Sequence, residues 1–425
     1  MSLLIKGGLV VDPSRHLEEP RDLLLDKGKI VAVEPPGQIP DNGRRIISAP
    51  GLVVAPGLID MHVHLREPGE EYKETIATGT QAALQGGFTA VAAMPNTKPV
   101  NDTAAVTRLI LDQARAAGHA RVYPVGAVSV GSKGEALSEY GDLKAAGVVA
   151  LTDDGHPVSS AMLMRRAMEY ARTFDLPIIS HCEDLELRAD GVMHEGTISL
   201  RLGLKGIPAA AEEVMVYRDL TLAALTGARL HIAHVSTGGS VAIIRLAKAM
   251  GLAVTAETAP HYFTLTEAAV LGYDTHAKVN PPLRTDMDVA SIKEALRDGT
   301  LEAIACDHAP HSSLEKEVEF TAAAFGLIGL ETSLGLTLKL VQAGDLNLMQ
   351  AIDRLSTGPA RILGVEGGSL AVGATADITL IDLHREWTVD AGAFASRSRN
   401  CPFDGWTLKG KAVMTIVGGK VVWEE

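Results

Sequence analysis

The sequence contains few cysteines, few aromatic residues and no long apolar run, and each scarcity excludes a class of protein. Three cysteines in 425 residues cannot form a disulfide framework, so we expect a reducing compartment. No uninterrupted apolar stretch reaches the ~18 residues of a membrane span, and the amino terminus lacks the apolar segment of a secretion signal. Basic residues number 39 against 52 acidic residues, and this net charge of −13 argues against a nucleic-acid partner. We therefore expect an acidic cytoplasmic protein that binds neither nucleic acid nor membranes.

The chain does contain eight short apolar runs, most of which are separated by segments with helical periodicity. Their nearly continuous apolar character is typical of strands that are buried on both faces of a parallel sheet. Eight such strand–helix units predict an α/β fold, a (β/α)8 TIM-like barrel. The runs are GLIDMHVH, FTAVAAM, VYPVGAV, GVVALTD, LPIISH, RLHIAH, LAVTAE and EAIACD.

Both ends of the chain have a different pattern, with short β-branched runs interrupted by glycine, as in hairpins. Although they are far apart in sequence, we expect the two ends to pair into one small β-sandwich domain. Residues 1–55 together with 362–425 would form this domain. Residues 56–361 would form the barrel.

Polar residues collect where the predicted strands end. His62 and His64 lie one pleat apart on the same face of the first strand, where two imidazoles can share a metal ion. An isolated pair of this kind is more often two hydrogen-bonded histidines, but the fifth strand ends at His181 and the eighth at Asp307. Because barrel active sites are built at the carboxyl ends of the strands, these residues predict a metal site.

Two further strand ends leave a choice between neighbours. The fourth strand offers Asp153 or Asp154, and the sixth offers His231 or His234. Since the two histidines are three positions apart, alternation predicts that they do not both face the barrel interior. His234 is closer to the carboxyl end, so we take it as the ligand and expect His231 to be packed or at the surface.

The predicted donor set is imidazole nitrogen and carboxylate oxygen without thiolate. This set favours Zn²⁺, with Mn²⁺, Co²⁺ or Fe²⁺ as alternatives. Cys182 and Cys306 adjoin His181 and Asp307, so alternation points both thiols away from the site. Five or six ligands are too many for one tetrahedral ion and indicate a pair of ions, which keeps a bound hydroxide nucleophilic at neutral pH.

Several motifs, taken in their order along the chain, resemble those of the dihydroorotase family in the amidohydrolase superfamily. The resemblance covers nearly the whole chain and implies reversible hydrolysis of the ring amide of (S)-dihydroorotate to N-carbamoyl-L-aspartate, a step of pyrimidine (UMP) biosynthesis. HVHLREPG and CDHAPH together are highly specific. The motifs are PGLIDMHVHLREPG, MPNTKP, KVNPPLR, CDHAPH and FGLIGLET.

The resemblance also implies how one or two zinc ions per subunit would be held. His62, His64 and Asp307 match the ligands of the first ion, and His181 and His234 match those of the second. Many members of the superfamily bridge the ions with a carbamylated lysine, but GVVALTDDG contains no lysine. Similar bacterial dihydroorotases with DDG at this point use an aspartate, and by that match we choose Asp154 over Asp153.

Substrate recognition is predicted partly from charge, because the substrate carries a carboxylate and the protein is acidic. Arg66 can hold this carboxylate through two parallel hydrogen bonds. Asp307 is also the expected catalytic residue, which would take a proton from the attacking water and pass it to the leaving nitrogen. The resemblance implies further substrate contacts from Asn96, Asn280, His311, Phe325 and Gly326.

Two other functions remain open at this stage. A hydantoinase or allantoinase acts on related cyclic amides, but these enzymes usually carry the bridging lysine, and a neutral hydantoin does not need Arg66. A non-catalytic scaffold for aspartate carbamoyltransferase would be expected to have lost metal ligands. Catalysis within a complex with that enzyme, and assembly into a homo-oligomer, are both compatible with the sequence. The polar segment HAPHSSLEKEVEF is a candidate lid over the site.

Overall fold

The computed structural model describes residues 2–425, which contain two eight-stranded sheets, one two-stranded sheet and fourteen α-helices. The strands are β1 (Leu3–Asp12), β2 (Leu17–Asp26), β3 (Lys29–Glu34), β4 (Arg45–Ser48), β5 (Val53–Pro56), β6 (Leu58–Val63), β7 (Phe88–Ala93), β8 (Arg121–Gly126), β9 (Ala150–Leu151), β10 (Ile178–Ser180), β11 (Met193–His194), β12 (Gly206–Ile207), β13 (Leu230–Ile232), β14 (Val254–Thr258), β15 (Ala303–Ile304), β16 (Ile378–Thr388), β17 (Thr407–Val417) and β18 (Lys420–Glu424). The helices are α1 (Ile76–Gln85), α2 (Ala104–Ala117), α3 (Tyr140–Ala146), α4 (Ala161–Thr173), α5 (Leu185–Arg188), α6 (Thr197–Leu202), α7 (Ala210–Thr226), α8 (Gly238–Ala249), α9 (Pro260–Thr264), α10 (Asp286–Asp298), α11 (Ser313–Lys316), α12 (Ser333–Ala343), α13 (Leu348–Ile352) and α14 (Gly358–Leu363).

The central sheet is a parallel barrel, as the sequence predicts. Its strands lie in the order β15, β14, β13, β10, β9, β8, β7, β6, and each contains part of one of the eight apolar runs. The barrel closes beyond the ends of β6 and β15, where Val63 pairs in parallel with His308 and the His64 N–H donates to the His308 carbonyl at 2.9 Å. Asp60 adds a side-chain link, since its carboxylate accepts the Cys306 N–H at 3.0 Å. The predicted (β/α)8 fold is confirmed.

Alanine and larger aliphatic side chains fill the barrel interior. One buried apolar cluster contains residues from six barrel strands and from α14: Met61, Ala92, Val125, Ala150, Ile179, Ala303, Ile362 and Leu363 among others. A larger cluster lies between the strands and the surrounding helices and includes Cys182 and Cys306. The aliphatic character of both clusters agrees with the low aromatic content of the sequence.

The strands from the two ends of the chain form one mixed sheet beside the barrel. Its main path is β18, β17, β16, β5, β1, β2, β3, and β4 pairs in parallel with β1. The sheet bends back on itself, because the Ile30 N–H in β3 donates to the Ala374 carbonyl just before β16 at 3.0 Å. It encloses a separate apolar core that includes Ile5, Leu23 and Ile378. Within residues 2–425, no helix has both the length and the apolar character needed to cross a membrane.

Candidate metal centre and substrate cavity

A polar cavity of about 520 Å³ opens at the carboxyl ends of the barrel strands. The long loops that follow the strands surround it, as the geometry of a (β/α)8 barrel requires. Its lining includes eleven of the twelve residues that the sequence predicts as site residues: His64, Arg66, Asn96, Asp154, His181, His234, Asn280, Asp307, His311, Phe325 and Gly326. The twelfth, His62, lies beneath the cavity and is fully buried.

A first group of ligand atoms meets at the end of β6. Asp154 Oδ2 lies 3.3 Å from His62 Nε2 and 3.4 Å from His64 Nε2. Asp307 Oδ1 lies 3.1 Å from His64 Nε2 and 3.7 Å from His62 Nε2. Ligand atoms on a tetrahedral zinc ion with bonds of 2.0–2.2 Å are about 3.3–3.6 Å apart, so the spacing fits one ion.

A second group lies on the other side of the same aspartate. His181 Nδ1 and His234 Nε2 are 2.9 Å apart. Asp154 Oδ1 lies 3.3 Å from the His234 nitrogen and 3.7 Å from the His181 nitrogen. The two oxygens of Asp154 therefore face two different sets of imidazoles, which is the arrangement of a carboxylate shared by two ions.

The charges of the cluster also fit a metal. His62 Nε2 is buried and has no hydrogen-bond partner among the described residues. Burial opposes charge on His62, yet Asp154 and Glu257 raise its pKa well above the usual value. Burial likewise opposes ionisation of Asp154, but His62, His234 and His64 lower its pKa well below the usual value. Positive charge is thus favoured between these carboxylates, whether a proton or a metal ion supplies it.

The neighbouring Asp153 is turned away from the cluster. Its Oδ1 accepts the Ser129 N–H at 2.9 Å, and its Oδ2 accepts the Ser129 hydroxyl. These bonds tie the end of β9 to the loop after β8. Of the two aspartates between which the sequence leaves a choice, Asp154 is the one that the fold brings to the histidines.

Two residues orient the histidines of the first group. His62 Nδ1 donates to Glu257 Oε1, and His64 Nδ1 donates to Asn96 Oδ1, each at 2.8 Å. Each bond places the ring proton on Nδ1 and leaves the Nε2 lone pair for an ion, as is usual for metal-binding histidines. Asn96 therefore contacts a histidine of the predicted ligand set in addition to lining the cavity.

Sequence reasoning missed Glu257, although LAVTAE places an acid at the end of a predicted strand. Glu257 lies in β14 and is 1% exposed. Burial opposes its ionisation, but the neighbouring His231 and His62 lower its pKa to about 2. The carboxylate is therefore charged at neutral pH and increases the basicity of His62 as a ligand.

The expectation that His231 and His234 do not both face the barrel interior is wrong. His231 pairs with Ile179, which lies in the interior cluster, and His231 Nε2 is 3.4 Å from Glu257 Oε2. His234 lies beyond the end of β13 and has a left-handed backbone, with φ of 35°. Strand alternation therefore no longer governs its direction, and both side chains point inward at different depths.

The loop after His234 is fixed by a buried acid that sequence reasoning also missed. Glu212 in α7 accepts the backbone N–H groups of Ser236 at 3.1 Å and Thr237 at 3.3 Å, as well as the Ser236 hydroxyl. Thr237 in turn caps α8 by accepting the Ser240 N–H. No motif marks Glu212, because it is one of several acids within a helix whose polar and apolar residues show no regular pattern.

The same cavity also contains the predicted carboxylate contacts. Arg66 is 7% exposed, its Nε donates to the Pro310 carbonyl at 3.1 Å, and its Nη2 lies 3.3 Å from His311 Nε2. Each terminal nitrogen carries two N–H groups, so both keep at least one for a ligand. His311 Nε2 donates to the Phe325 carbonyl at 2.8 Å. Burial and the adjacent Arg66 lower the pKa of His311 to about 2, so this imidazole is neutral. Asn280 contributes a buried Oδ1 that has no hydrogen-bond partner among the described residues.

Comparison with known proteins identifies relatives along the full chain. A family profile described as "Dihydro-orotase-like" matches residues 51–240. A dihydroorotase of Syntrophotalea carbinolica is 59% identical over 423 residues, which cover 100% of this chain and 99% of the relative. A dihydroorotase of Geobacter metallireducens is 57% identical over 424 residues, with 100% of both chains covered. Among solved structures, an L-hydantoinase (dihydropyrimidinase) from Arthrobacter aurescens matches with a TM-score of 0.89 at 26% identity, covering 99% of this chain and 96% of that one.

Proposed function

The chain belongs to the dihydroorotase family, and from this premise we propose that it hydrolyses the ring amide of (S)-dihydroorotate reversibly to N-carbamoyl-L-aspartate with two zinc ions in its cavity. It is a cyclic amidohydrolase, and its close full-length relatives are dihydroorotases. The observation that carries the zinc assignment is the position of Asp154, whose two oxygens face two separate histidine groups. Nitrogen and oxygen donors without thiolate favour zinc over softer metals.

The proposed ligands form two sets, one for each ion. His62, His64 and Asp307 would hold the first ion, His181 and His234 the second, and Asp154 would contact both. When bound, zinc lowers the pKa of water to about 7 and polarises the carbonyl that is attacked. Glu257 and Asn96 keep the first pair of imidazoles in the tautomer that binds metal.

Asp307 is the proposed general base and acid. Burial opposes its ionisation, but the adjacent His64 and the nearby His62 and His234 hold its pKa below the ordinary value. It therefore begins the reaction as a carboxylate at the edge of the cavity and can accept a proton from the attacking water. The same group returns that proton to the ring nitrogen as the amide bond breaks, because an unprotonated amide nitrogen is a poor leaving group.

The substrate carboxylate would bind in the same cavity, beside the metal ligands. Arg66 supplies a charged fork there, and Asn96 and His311 complete the pocket. Asn280, with its unpartnered buried oxygen, is positioned to accept a hydrogen bond from a ring N–H. Phe325 and Gly326 form the edge of the pocket beside His311.

Hydantoinase activity is the alternative to be tested, since a hydantoinase shares the fold. The strand that ends at Leu151 offers Asp154 where a bridging lysine would stand, and a neutral hydantoin has no carboxylate for Arg66. The test is hydrolysis of dihydroorotate and of hydantoin by zinc-loaded protein. We expect the kcat/KM for dihydroorotate to be at least about 100-fold above that for hydantoin. This factor corresponds to the two charge-assisted hydrogen bonds that the Arg66 guanidinium can donate to a carboxylate. Comparable values for both would contradict the assignment.

We further propose a cytoplasmic homo-oligomer that can associate with aspartate carbamoyltransferase. The three cysteines are free and buried, as suits a reducing compartment. Exposed apolar side chains are available for subunit contacts on α7 (Tyr217 and Leu225), on α8 (Leu246) and directly after α8 (Met250). Analytical ultracentrifugation with and without the carbamoyltransferase tests both associations. A monomer that stays unchanged on mixing would contradict them.

A further inference from the structure

Two lysines beside the cavity are buried without an acidic partner. Lys278 is 2% exposed and Lys316 is 1% exposed. Buried ammonium groups are ordinarily paired with carboxylates, because removing an unpaired charge from water is costly. Across residues 2–425, neither of these lysines forms an ion pair within 4.0 Å. Their charge must therefore be stabilised in another way.

Backbone carbonyls take the place of the missing acids. Lys278 Nζ donates to the carbonyls of Phe320, Thr321 and Ala323, at 2.6, 3.1 and 2.6 Å. An ammonium group has three donors, so all of them are used.

Lys316 likewise donates to backbone carbonyls, mainly those that follow the acceptors of Lys278 along the chain. Its Nζ donates to the carbonyls of Ala324, Gly326 and Lys278, at 2.8, 3.0 and 3.4 Å. The two lysines together bind five carbonyls of the segment 320–326. The third carbonyl of Lys316 belongs to Lys278 and links the two sites.

The segment that they hold has no regular structure of its own. Between the end of α11 and the bridge at Leu327, the chain forms neither helix nor strand. It nevertheless carries Phe325 and Gly326 on the cavity wall, and the Phe325 carbonyl accepts the hydrogen bond that orients His311. Gly326 has φ of 132°, and a Cβ there would lie 2.7 Å from the Ala309 Cβ, so the wall is tightly packed. The position of segment 320–326 therefore depends on contacts with residues outside it.

We propose that Lys278 and Lys316 form a carbonyl clamp, which holds segment 320–326 in the conformation that places Phe325, Gly326 and His311 against the substrate. They are positioning residues, since neither touches the reacting atoms. The proposal rests on the proposed dihydroorotate site. It predicts that losing either ammonium weakens substrate binding more than it slows chemistry at the metals, because the ligands are held by other strands.

The clamp is sensitive to pH. Burial, with repulsion from Arg188, lowers the pKa of Lys278 to about 8. Burial and the neighbouring Lys278 lower the pKa of Lys316 to about 7, against the attraction of Asp274. A neutral amine has only two donors for three carbonyls. The segment therefore loosens as the pH rises through these values, and KM rises with it.

The test compares Lys316→Met and Lys278→Met with Lys205→Met, which removes a lysine whose side chain is 71% exposed. We expect the first two to raise KM for dihydroorotate roughly tenfold and change kcat by no more than about twofold. Amide hydrogen exchange across residues 317–327 should accelerate in both, with zinc content unchanged, while Lys205→Met resembles wild type. Unchanged KM and unchanged exchange would overturn the proposal.

Lys316→Arg serves as a second variant in case the methionine variants fold poorly. Its guanidinium does not titrate in this range, so the rise in KM near pH 7 should disappear, while the rise near pH 8 from Lys278 remains. An identical pH profile in wild type and Lys316→Arg would overturn the pH sensitivity. Amide exchange requires no substrate, so it tests the clamp separately from the function. Wild-type protein that fails to hydrolyse dihydroorotate overturns the proposed function, whereas slow exchange in Lys316→Met overturns the clamp.

Discussion

Replacing Asp154 by alanine should remove one metal ion and leave the other. Without Asp154, the first group keeps His62, His64 and Asp307, three protein ligands, which is the usual number in a catalytic zinc site. The second group keeps only His181 and His234, whose nitrogens are 2.9 Å apart. We therefore expect zinc content to fall from about two ions per chain to about one.

Asp154→Asn refines this prediction. The amide keeps the size of the side chain but has a ligand oxygen at only one end, because an amide NH2 does not bind zinc. In the structure, opposite oxygens of Asp154 lie 3.3 Å from His62 Nε2 and 3.3 Å from His234 Nε2. One of these two contacts must be lost, so this variant should also hold about one ion.

The assay is zinc stoichiometry by mass spectrometry of the metal after dialysis, with turnover of dihydroorotate measured in parallel. Asp153→Ala is the matched control, since its carboxylate bonds to Ser129 and not to the histidines; it should keep two ions. Reloading of the wild type should not depend on bicarbonate, because no lysine has to be carbamylated. Two ions retained by Asp154→Ala, or one lost from Asp153→Ala, would refute the bridging role.

Three other predictions concern single side chains. Arg66→Ala should raise KM for dihydroorotate about 100-fold, the effect of about 3 kcal/mol from two charge-assisted hydrogen bonds, with metal content unchanged; equal affinity would show that the carboxylate binds elsewhere. Asp307→Asn should lower kcat by about 10²- to 10⁴-fold while zinc is retained, since the proton carrier is lost; near-normal kcat would exclude that role. Glu257→Gln should weaken zinc affinity about 10- to 100-fold, as expected when a histidine ligand loses its carboxylate partner; titration with a competing chelator measures this, and unchanged affinity would contradict it.

The barrel was predictable because each of its strands is a short apolar run, and polar residues at the strand ends converge in this fold. That convergence accounts for His62, His64, His181 and Asp307 without any contact information. His234 was selected for its position near the carboxyl end, but the sequence did not show that His231 faces inward as well, because His234 has a left-handed backbone after β13, to which alternation does not apply.

The residues that support the ligands were harder to find than the ligands. Glu257 ends an apolar run, so its position was visible but its hydrogen bond to His62 was not. Glu212 and Lys316 act through backbone groups of distant loops, and such contacts leave no spacing pattern in the sequence. Asp153 and Asp154 are adjacent and chemically identical, and only the fold separates the bond to Ser129 from the contacts to the histidines.

The central claim is that two zinc ions share Asp154. X-ray diffraction from zinc-loaded crystals, recorded on both sides of the zinc absorption edge, tests it most directly. We expect two anomalous peaks about 3.5–4 Å apart, the first beside His62, His64 and Asp307 and the second beside His181 and His234, with one oxygen of Asp154 on each. A single peak out of reach of Asp154, or density for a carbamylated lysine between the ions, would contradict the claim.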